Sequence, residues 1–576
     1  MRSLSVLLAL SSLTACDEGG GEAPPGPDGV PVPPIVDHQP LTPISGGTLA
    51  ITPDGTRAVA ADPEGHRTFV VDLEAGEVRG TLAVPEGEPG RVVLDDTHAW
   101  VALRTQGVAR IDLARATQTH HFTPCDTPRG LALDGDALHV ACADGELVTL
   151  AAADGTERRR VALEPDLRDV VVGGPDRLYV TTFRSASVLV VEGGRPTHRW
   201  HARSLRPEEG AHTAARPNVA WRTIGLPDGR LAMLHQRAQL SRVTTSVEGG
   251  YGTTEDPCAG AIVTPAITVF GPDGTIERDG LVPSAVLAVD LAAHPDSSLS
   301  LAAPGSPGLA AQHIAAFEGA NTCLPGMDVL GVDMFGFTQP FTAVALDARG
   351  TLWAQSRHPL ALVGGGRSIP LGDSQEDTGH TLFHQDAGGG IACASCHPEG
   401  GDDGHTWLFE QVGLRRTQHL RGGLIGREPF HWEGDLQDIG ALMDEVMVKR
   451  MGGQPLTPQH ADRLLSWIDA QPVIHLKPTD PTDAITRGEV LFQSLACTTC
   501  HTDGTGDGRT YDVGTGGYFQ VPNLQGLALR APYLHDGCAA TLHDRFGPCG
   551  GGDQHGVTST LHPAEVDDLV AFLKTL

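Results

Sequence analysis

Turn dipeptides recur along the first two-thirds of the chain at a nearly constant interval, and that interval limits the fold more than any other feature. Asp54-Gly55, Asp95-Asp96, Asp134-Gly135 and Pro175-Asp176 lie 41, 39 and 41 residues apart. Each sits between short apolar runs, such as Arg57-Ala58-Val59-Ala60-Ala61 and Ala137-Leu138-His139-Val140-Ala141. Turns at Asp228-Gly229, Pro295-Asp296 and Ala348-Arg349-Gly350 continue the series with longer insertions. A period near forty with several short strands per unit is the signature of a β-propeller. The turn count predicts about seven blades across residues 41–370. Abundant glycine (72) and proline (42), with only 5% aromatics, agree with turn-rich β structure. The insertions at 197–220 and between Cys258 and Cys323 break the period and are expected as rim loops that touch the next domain.

Composition changes near Asp373. From there on, helix-like segments such as Gln459 to Ala470 and Pro563 to Leu573 alternate with Gly-rich loops that hold Cys and His residues. Two complete C-x-x-C-H motifs lie in this part: Cys393-Ala394-Ser395-Cys396-His397 and Cys497-Thr498-Thr499-Cys500-His501. Paired thiols at this spacing add across the two vinyl groups of a haem, and the adjacent imidazole becomes the proximal iron ligand. Disulfides or a zinc site would leave the two matched histidines unexplained. The expectation is two covalently bound haem c groups, on Cys393, Cys396 and His397 and on Cys497, Cys500 and His501. They would sit in two mainly α-helical cytochrome c domains, residues 371–475 and 476–576.

The motifs head an internal repeat. After the first come Gly404, Arg416, Pro429-Phe430-His431-Trp432-Glu433-Gly434 and Leu442-Met443-Asp444. After the second come Gly508, Arg530, Pro532-Tyr533-Leu534-His535-Asp536-Gly537 and Leu542-His543-Asp544. Both halves close on a helix opened by Leu-x-Pro, at Leu456 and at Leu561. Just ahead of these helices, Met451-Gly452-Gly453 aligns with His555-Gly556. Thioether and imidazole both complete a c-type haem. Met451 is therefore the expected sixth ligand of the first haem and His555 of the second, with Met447, His431, His535, His405 and His384 as competitors.

The N-terminus reads as a lipoprotein signal: Arg2, an apolar run from Leu4 to Leu10 too short to span a bilayer, then Leu13-Thr14-Ala15-Cys16. Cleavage after residue 15 would leave a lipid on Cys16, a disordered tether over residues 16–40, and an exported protein anchored at the periplasmic face of a Gram-negative membrane. Of eleven cysteines, six remain in local pairs, Cys125/Cys142, Cys258/Cys323 and Cys538/Cys549, expected as disulfides in such a compartment. The net charge of −30 argues against nucleic-acid binding, which needs a basic face. The expected partners are redox proteins.

The C-terminal third resembles the bacterial di-haem cytochrome c peroxidase superfamily, which includes the methylamine-dehydrogenase maturation enzymes. The likeness rests on Gly379-His380-x-Leu382-Phe383, the paired motifs, Val521-Pro522-Asn523-Leu524 and Ala531-Pro532-Tyr533-Leu534-His535-Asp536-Gly537. It implies a distal acid near Asp444 or Glu445 and a bridging indole near Trp432, although the flanking residues match poorly. The second haem of that family usually carries Met or Tyr, so the Met and His order here is reversed. The remainder is similar in architecture to propeller repeats fused to cytochrome domains in exported bacterial proteins. Electron transfer between redox proteins is the leading expectation, a peroxidase-like oxidoreductase its main rival and redox sensing a third.

Overall fold

The computed structural model describes residues 32–36, 40–85, 87–206, 213–246, 249–252, 260–306, 312–314, 319–323, 328–329 and 341–576. The signal segment 1–15, Cys16 and Cys258 lie outside the described residues.

Each of the seven turns read from the sequence falls between the first and second strands of its own antiparallel sheet. Side-chain geometry explains several of them. Asp54 Oδ1 accepts from Thr56 N at 3.0 Å, Asp95 Oδ1 from Thr97 N at 2.7 Å, Asp296 Oδ1 from Ser298 N at 2.9 Å and Asp347 Oδ1 from Arg349 N at 2.9 Å. A short carboxylate closes the backbone two residues on, which is why aspartate marks the period. Six of the sheets have four strands. The sheet that begins at strand Ala215–Gly225 has five, because Gly319–Cys323 adds in parallel beside Ile276–Leu281. The regular four-stranded blade thus recurs six times, against the expected count of about seven.

The first strands, Leu49–Ile51, Pro89–Leu94, Pro128–Asp134, Leu167–Gly174, Ala215–Gly225, Asp290–Ala293 and Phe341–Leu346, contact one another in a closed ring around an axis. Second strands such as Arg57–Asp62 and Ala137–Cys142 are buried almost throughout, because neighbouring sheets cover both their faces. Outer strands such as Glu77–Ala83 alternate between exposed and half-buried residues.

Charged side chains fill the axis. Arg91 pairs with Asp169 at 2.8 Å, Arg222 with Asp169 at 3.2 Å and with Asp290 at 3.1 Å. Glu399 enters this array from the C-terminal part of the chain. It pairs with Arg168 at 2.7 Å and Arg104 at 3.1 Å, and accepts from Ser45 Oγ at 2.6 Å. Its neighbours hold its carboxyl well below the usual range against the cost of burial, Arg104 foremost.

Two helical units follow the last sheet. In the first, α1 (Thr378–His384) packs on α4 (Pro458–Asp469), with α2 (Cys393–Cys396), α3 (Ile439–Leu442) and a π-helix (Met443–Arg450) between them. In the second, α5 (Thr482–Ser494) packs on α6 (Pro563–Leu573). A glycine makes each crossing possible: a Cβ on Gly379 would lie 2.3 Å from Arg463 O, and one on Gly488 2.0 Å from Asp568 O. Phe430 bridges to Leu436 and Tyr533 to Ala539, with left-handed backbone at His431 (φ 72°) and Leu534 (φ 71°). The two units therefore share local geometry where the sequence shows its repeat.

Interdomain contact is extensive. Val243, in the excursion after strand Leu231–Gln239, pairs with Phe409, and Tyr251 N donates to Arg450 O at 2.7 Å. Val243 and Tyr251 lie outside the two insertions expected to touch the next domain, 197–220 and Cys258–Cys323, while within the first of these Asn218 Nδ2 donates to Asp403 Oδ2 at 3.1 Å. The expected tether is corrected at its C-terminal end. His460 Nε2 meets Pro33 O at 2.9 Å, Val36 N donates to Thr378 Oγ1 at 2.8 Å and Trp467 Nε1 to Leu41 O at 2.8 Å. Residues 33–36 and 41–44 lie across α1 and α4 as a strap, because their backbone groups find partners there.

Candidate haem-binding sites

The cysteines sort by role. Cys125–Cys142 and Cys538–Cys549 are disulfides, and Cys323 is also disulfide-bonded, its expected partner Cys258 lying outside the described residues. The four motif cysteines are free thiols.

In the second unit, α5 ends at Ser494 and a short 3₁₀ turn, Cys497–Thr499, follows left-handed Ala496. Cys497, Cys500, His501 and His555 line one cavity of about 340 Å³, walled by Phe492, Phe519, Leu542 and Leu569. His555 ends a 3₁₀ turn, Gly552–His555, between Gly551 (φ 80°) and Gly556 (φ 91°). The two left-handed glycines turn the chain so that this imidazole enters the cavity. Burial pushes His501 down to about 4 and His555 to about 3, with Arg545 the next cause for His555 and the His501 ring a further one. Both rings are neutral at pH 7, the state in which imidazole binds iron. Both Nδ1 atoms are buried without a hydrogen bond.

These residues fit a covalently bound haem: an apolar cavity, two free thiols on its wall, and two neutral imidazoles with orphaned buried nitrogens. Cys497 and Cys500 would carry the thioether links, His501 the proximal bond and His555 the sixth. His535, a competitor, also lines the cavity, but its ring stacks on Phe519 at 3.7 Å.

In the first unit, α2 presents Cys393 and Cys396 to an apolar cluster shared with the propeller, which includes Trp221, Phe383, Trp407, Met443, Met447 and Met451. His397 Nδ1 donates to Gly401 O at 3.2 Å, and the ring also meets the Gln418 backbone. Met443, Met447 and Met451 are all buried, four residues apart along the π-helix and its end. Met443 went unread in the sequence, although the spacing of four was visible. Tyr251 also lies here: its OH accepts from Arg450 Nη1 at 3.0 Å, and burial pushes its phenol up to about 12.

Two competitors are committed elsewhere. His405 Nε2 donates to Gln239 O at 3.0 Å while Nδ1 accepts from Arg216 Nε at 3.0 Å. His384 Nδ1 donates to His380 O at 2.7 Å while Nε2 accepts from Ile44 N at 3.2 Å. His431 Nδ1 lies 3.3 Å from Asp435. The acids implied by the peroxidase resemblance are not gathered over a cavity. Asp444 is exposed, and Glu445 pairs with Lys449 and Arg450, each at 3.0 Å. Trp432 lines the second cavity and donates its indole N–H to Arg416 O at 2.7 Å.

Fold and site together define the class, a β-propeller that carries a C-terminal cytochrome c domain with its covalently bound haem c. Residues 485–576 match the cytochrome c family. Among curated proteins the chain is similar to hydrazine synthase subunit gamma of Kuenenia stuttgartiensis, 26% identical over 33% of this chain and 72% of that one. Solved structures with likeness include hydrazine synthase of the same organism (TM-score 0.42, 15% identity, 57% of this chain and 97% of that one). Another is a catalytically inactive virginiamycin B lyase of Staphylococcus aureus with quinupristin (TM-score 0.39, 10% identity, 56% and 94%). The curated relative is thus a hydrazine synthase subunit rather than a di-haem peroxidase.

Proposed function

We propose that this chain is an exported di-haem c-type cytochrome that passes single electrons between redox proteins, with the propeller as docking scaffold and a lipid on Cys16 holding it at a membrane. The observation that carries the reading is the convergence of His501 and His555 on one cavity beside Cys497 and Cys500. When bound there, haem supplies a one-electron couple at its iron. The chain's residues do the rest. Cys497 and Cys500 would hold the group in place, His501 and His555 would supply its imidazole ligands, and Phe492, Phe519 and Leu569 would exclude water. A haem held by two protein imidazoles would favour electron passage over ligand chemistry.

The shared glycine crossings and the repeated bridges support a second haem on Cys393, Cys396 and His397, with Met451 as its sixth ligand. The five-stranded sheet supports a seventh blade, since its first strand takes a place in the ring. An absorption spectrum with a potentiometric titration tests the proposal. Two low-spin haems, each titrating as a one-electron step and unaffected by peroxide, are expected. A high-spin ferric haem that turns over peroxide would replace it with the enzyme reading.

A second reading is favoured by the similarity to hydrazine synthase subunit gamma: the chain acts as one subunit of a larger redox enzyme. Size-exclusion of the native complex from its source membrane separates the two, since that reading requires a stable hetero-oligomer.

A further inference from the structure

Arg416 belongs to the first helical unit but lines the cavity of the second. Its Nη2 donates to Asp402 Oδ1 at 2.7 Å and to Arg530 O at 2.6 Å, and its Nη1 to Thr417 O at 2.7 Å. Its Nε is buried with no partner. Arg530, which lines the same cavity, also has a buried Nε with no partner, and Arg545 is a third guanidinium on that wall. Buried, unpaired N–H groups of a cation are costly unless an anion meets them. The fork of a guanidinium suits a carboxylate, and haem brings two carboxylates of its own.

Asp402 gives Arg416 its second connection. Its side chain is fully buried, and it also pairs with Arg184 of the propeller at 3.1 Å and with His419 Nδ1 at 2.7 Å. It lies on the loop after His397 and is among the charges acting on that imidazole. One side chain therefore touches the cavity of the second site and the carboxylate beside the proximal ligand of the first.

The geometry points to Arg416 as a positioning residue that binds a haem carboxylate at the second site and, through Asp402, ties its electrostatics to those of the first. This rests on the two-haem reading. A buried positive charge near an iron stabilises the reduced form and raises its potential. Loss of Arg416 removes that charge from the second site and leaves Asp402 less compensated beside the first. Both effects lower a potential.

The test uses the full-length holoprotein. Haem stoichiometry is read from the mass of the denatured chain, and the two midpoint potentials from spectroelectrochemical titration. R416Q is expected to keep two haems and lower both midpoints. R184Q, which touches Asp402 but not the cavity, should lower only the first-site step. R545Q, on the cavity but away from Asp402, should lower only the second. R416K keeps the charge and is expected to fold even where R416Q does not, with smaller downward shifts in both steps. Two haems with only one step moved in R416Q and R416K would overturn the link while leaving the two-haem reading intact. One haem in the parent chain would remove that reading and the link with it.

Discussion

Arg216 of strand Ala215–Gly225 donates its Nε–H to Nδ1 of His405 across 3.0 Å, while the other ring nitrogen of His405 donates to Gln239 O. The propeller thus fixes the tautomer of an imidazole in the first helical unit. Burial, with the Arg216 charge, pushes His405 down to about 3. A histidine whose folded pKa lies below its unfolded value of about 6.5 contributes stability that is complete above that value. That contribution is lost as pH falls from there toward about 3, because a proton on Nδ1 would face the guanidinium. Protection factors of residues 215–239, taken against the intrinsic exchange rate at each pH, should fall across this window and should be less pH-sensitive in H405N. Protection unchanged down to pH 4 would count against it.

Glu399 gives a stability prediction. E399Q leaves Arg104 and Arg168 buried with their counter-charge gone, and removal of one partner of a buried pair costs about 3–5 kcal/mol. Denaturant unfolding followed by tryptophan fluorescence should show the propeller and first unit losing stability together. A change under about 1 kcal/mol would mean that the axial array does not depend on this residue.

The four free thiols make the proposed haem attachment testable. The denatured parent should retain two haems, and replacing Cys497 and Cys500 by alanine should remove one, as should replacing Cys393 and Cys396. A single haem that disappears with the second pair alone would confine the cofactor to residues 485–576.

His555 sets the character of the second site. H555G should open one axial side, so that added imidazole binds and restores the parent spectrum. H555M should raise the midpoint, because a thioether favours reduced iron, by about 59 mV for each tenfold of that preference. Spectra that ignore both substitutions would move the sixth ligand to His535, the other imidazole on the wall.

The sequence carried what depends on local spacing. Aspartate turns marked sheet after sheet because several of these carboxylates close their own turns, and the closing helices at Pro458 and Pro563 were plain from Leu-x-Pro. The disulfides Cys125–Cys142 and Cys538–Cys549 were readable as near neighbours. What stayed hidden depends on long-range meetings. Arg91, Arg168 and Arg222 sit in apolar strands with nothing to mark them as one array, and Glu399 reaches them only through the fold. His555 stood out from the repeat alignment, but competitors such as His384 and His405 could be set aside only once their hydrogen-bond partners were known. The glycine at the second crossing, Gly488, repeats Gly379 but at a different distance from its motif.

The strap has a consequence for how the chain is made. Residues 33–36 and 41–44 leave the ribosome early, yet Thr378, His384, His460 and Trp467, which hold them, follow more than 300 residues later. Until translation reaches α1 the strap has no footing, it is complete only with α4, and Arg104 and Arg168 wait for Glu399 without that counter-charge. A nascent propeller is therefore an unfinished object however many sheets have formed. Its last fastening arrives with the first C-x-x-C-H unit, so the ring of first strands can close before the charges along its axis are balanced.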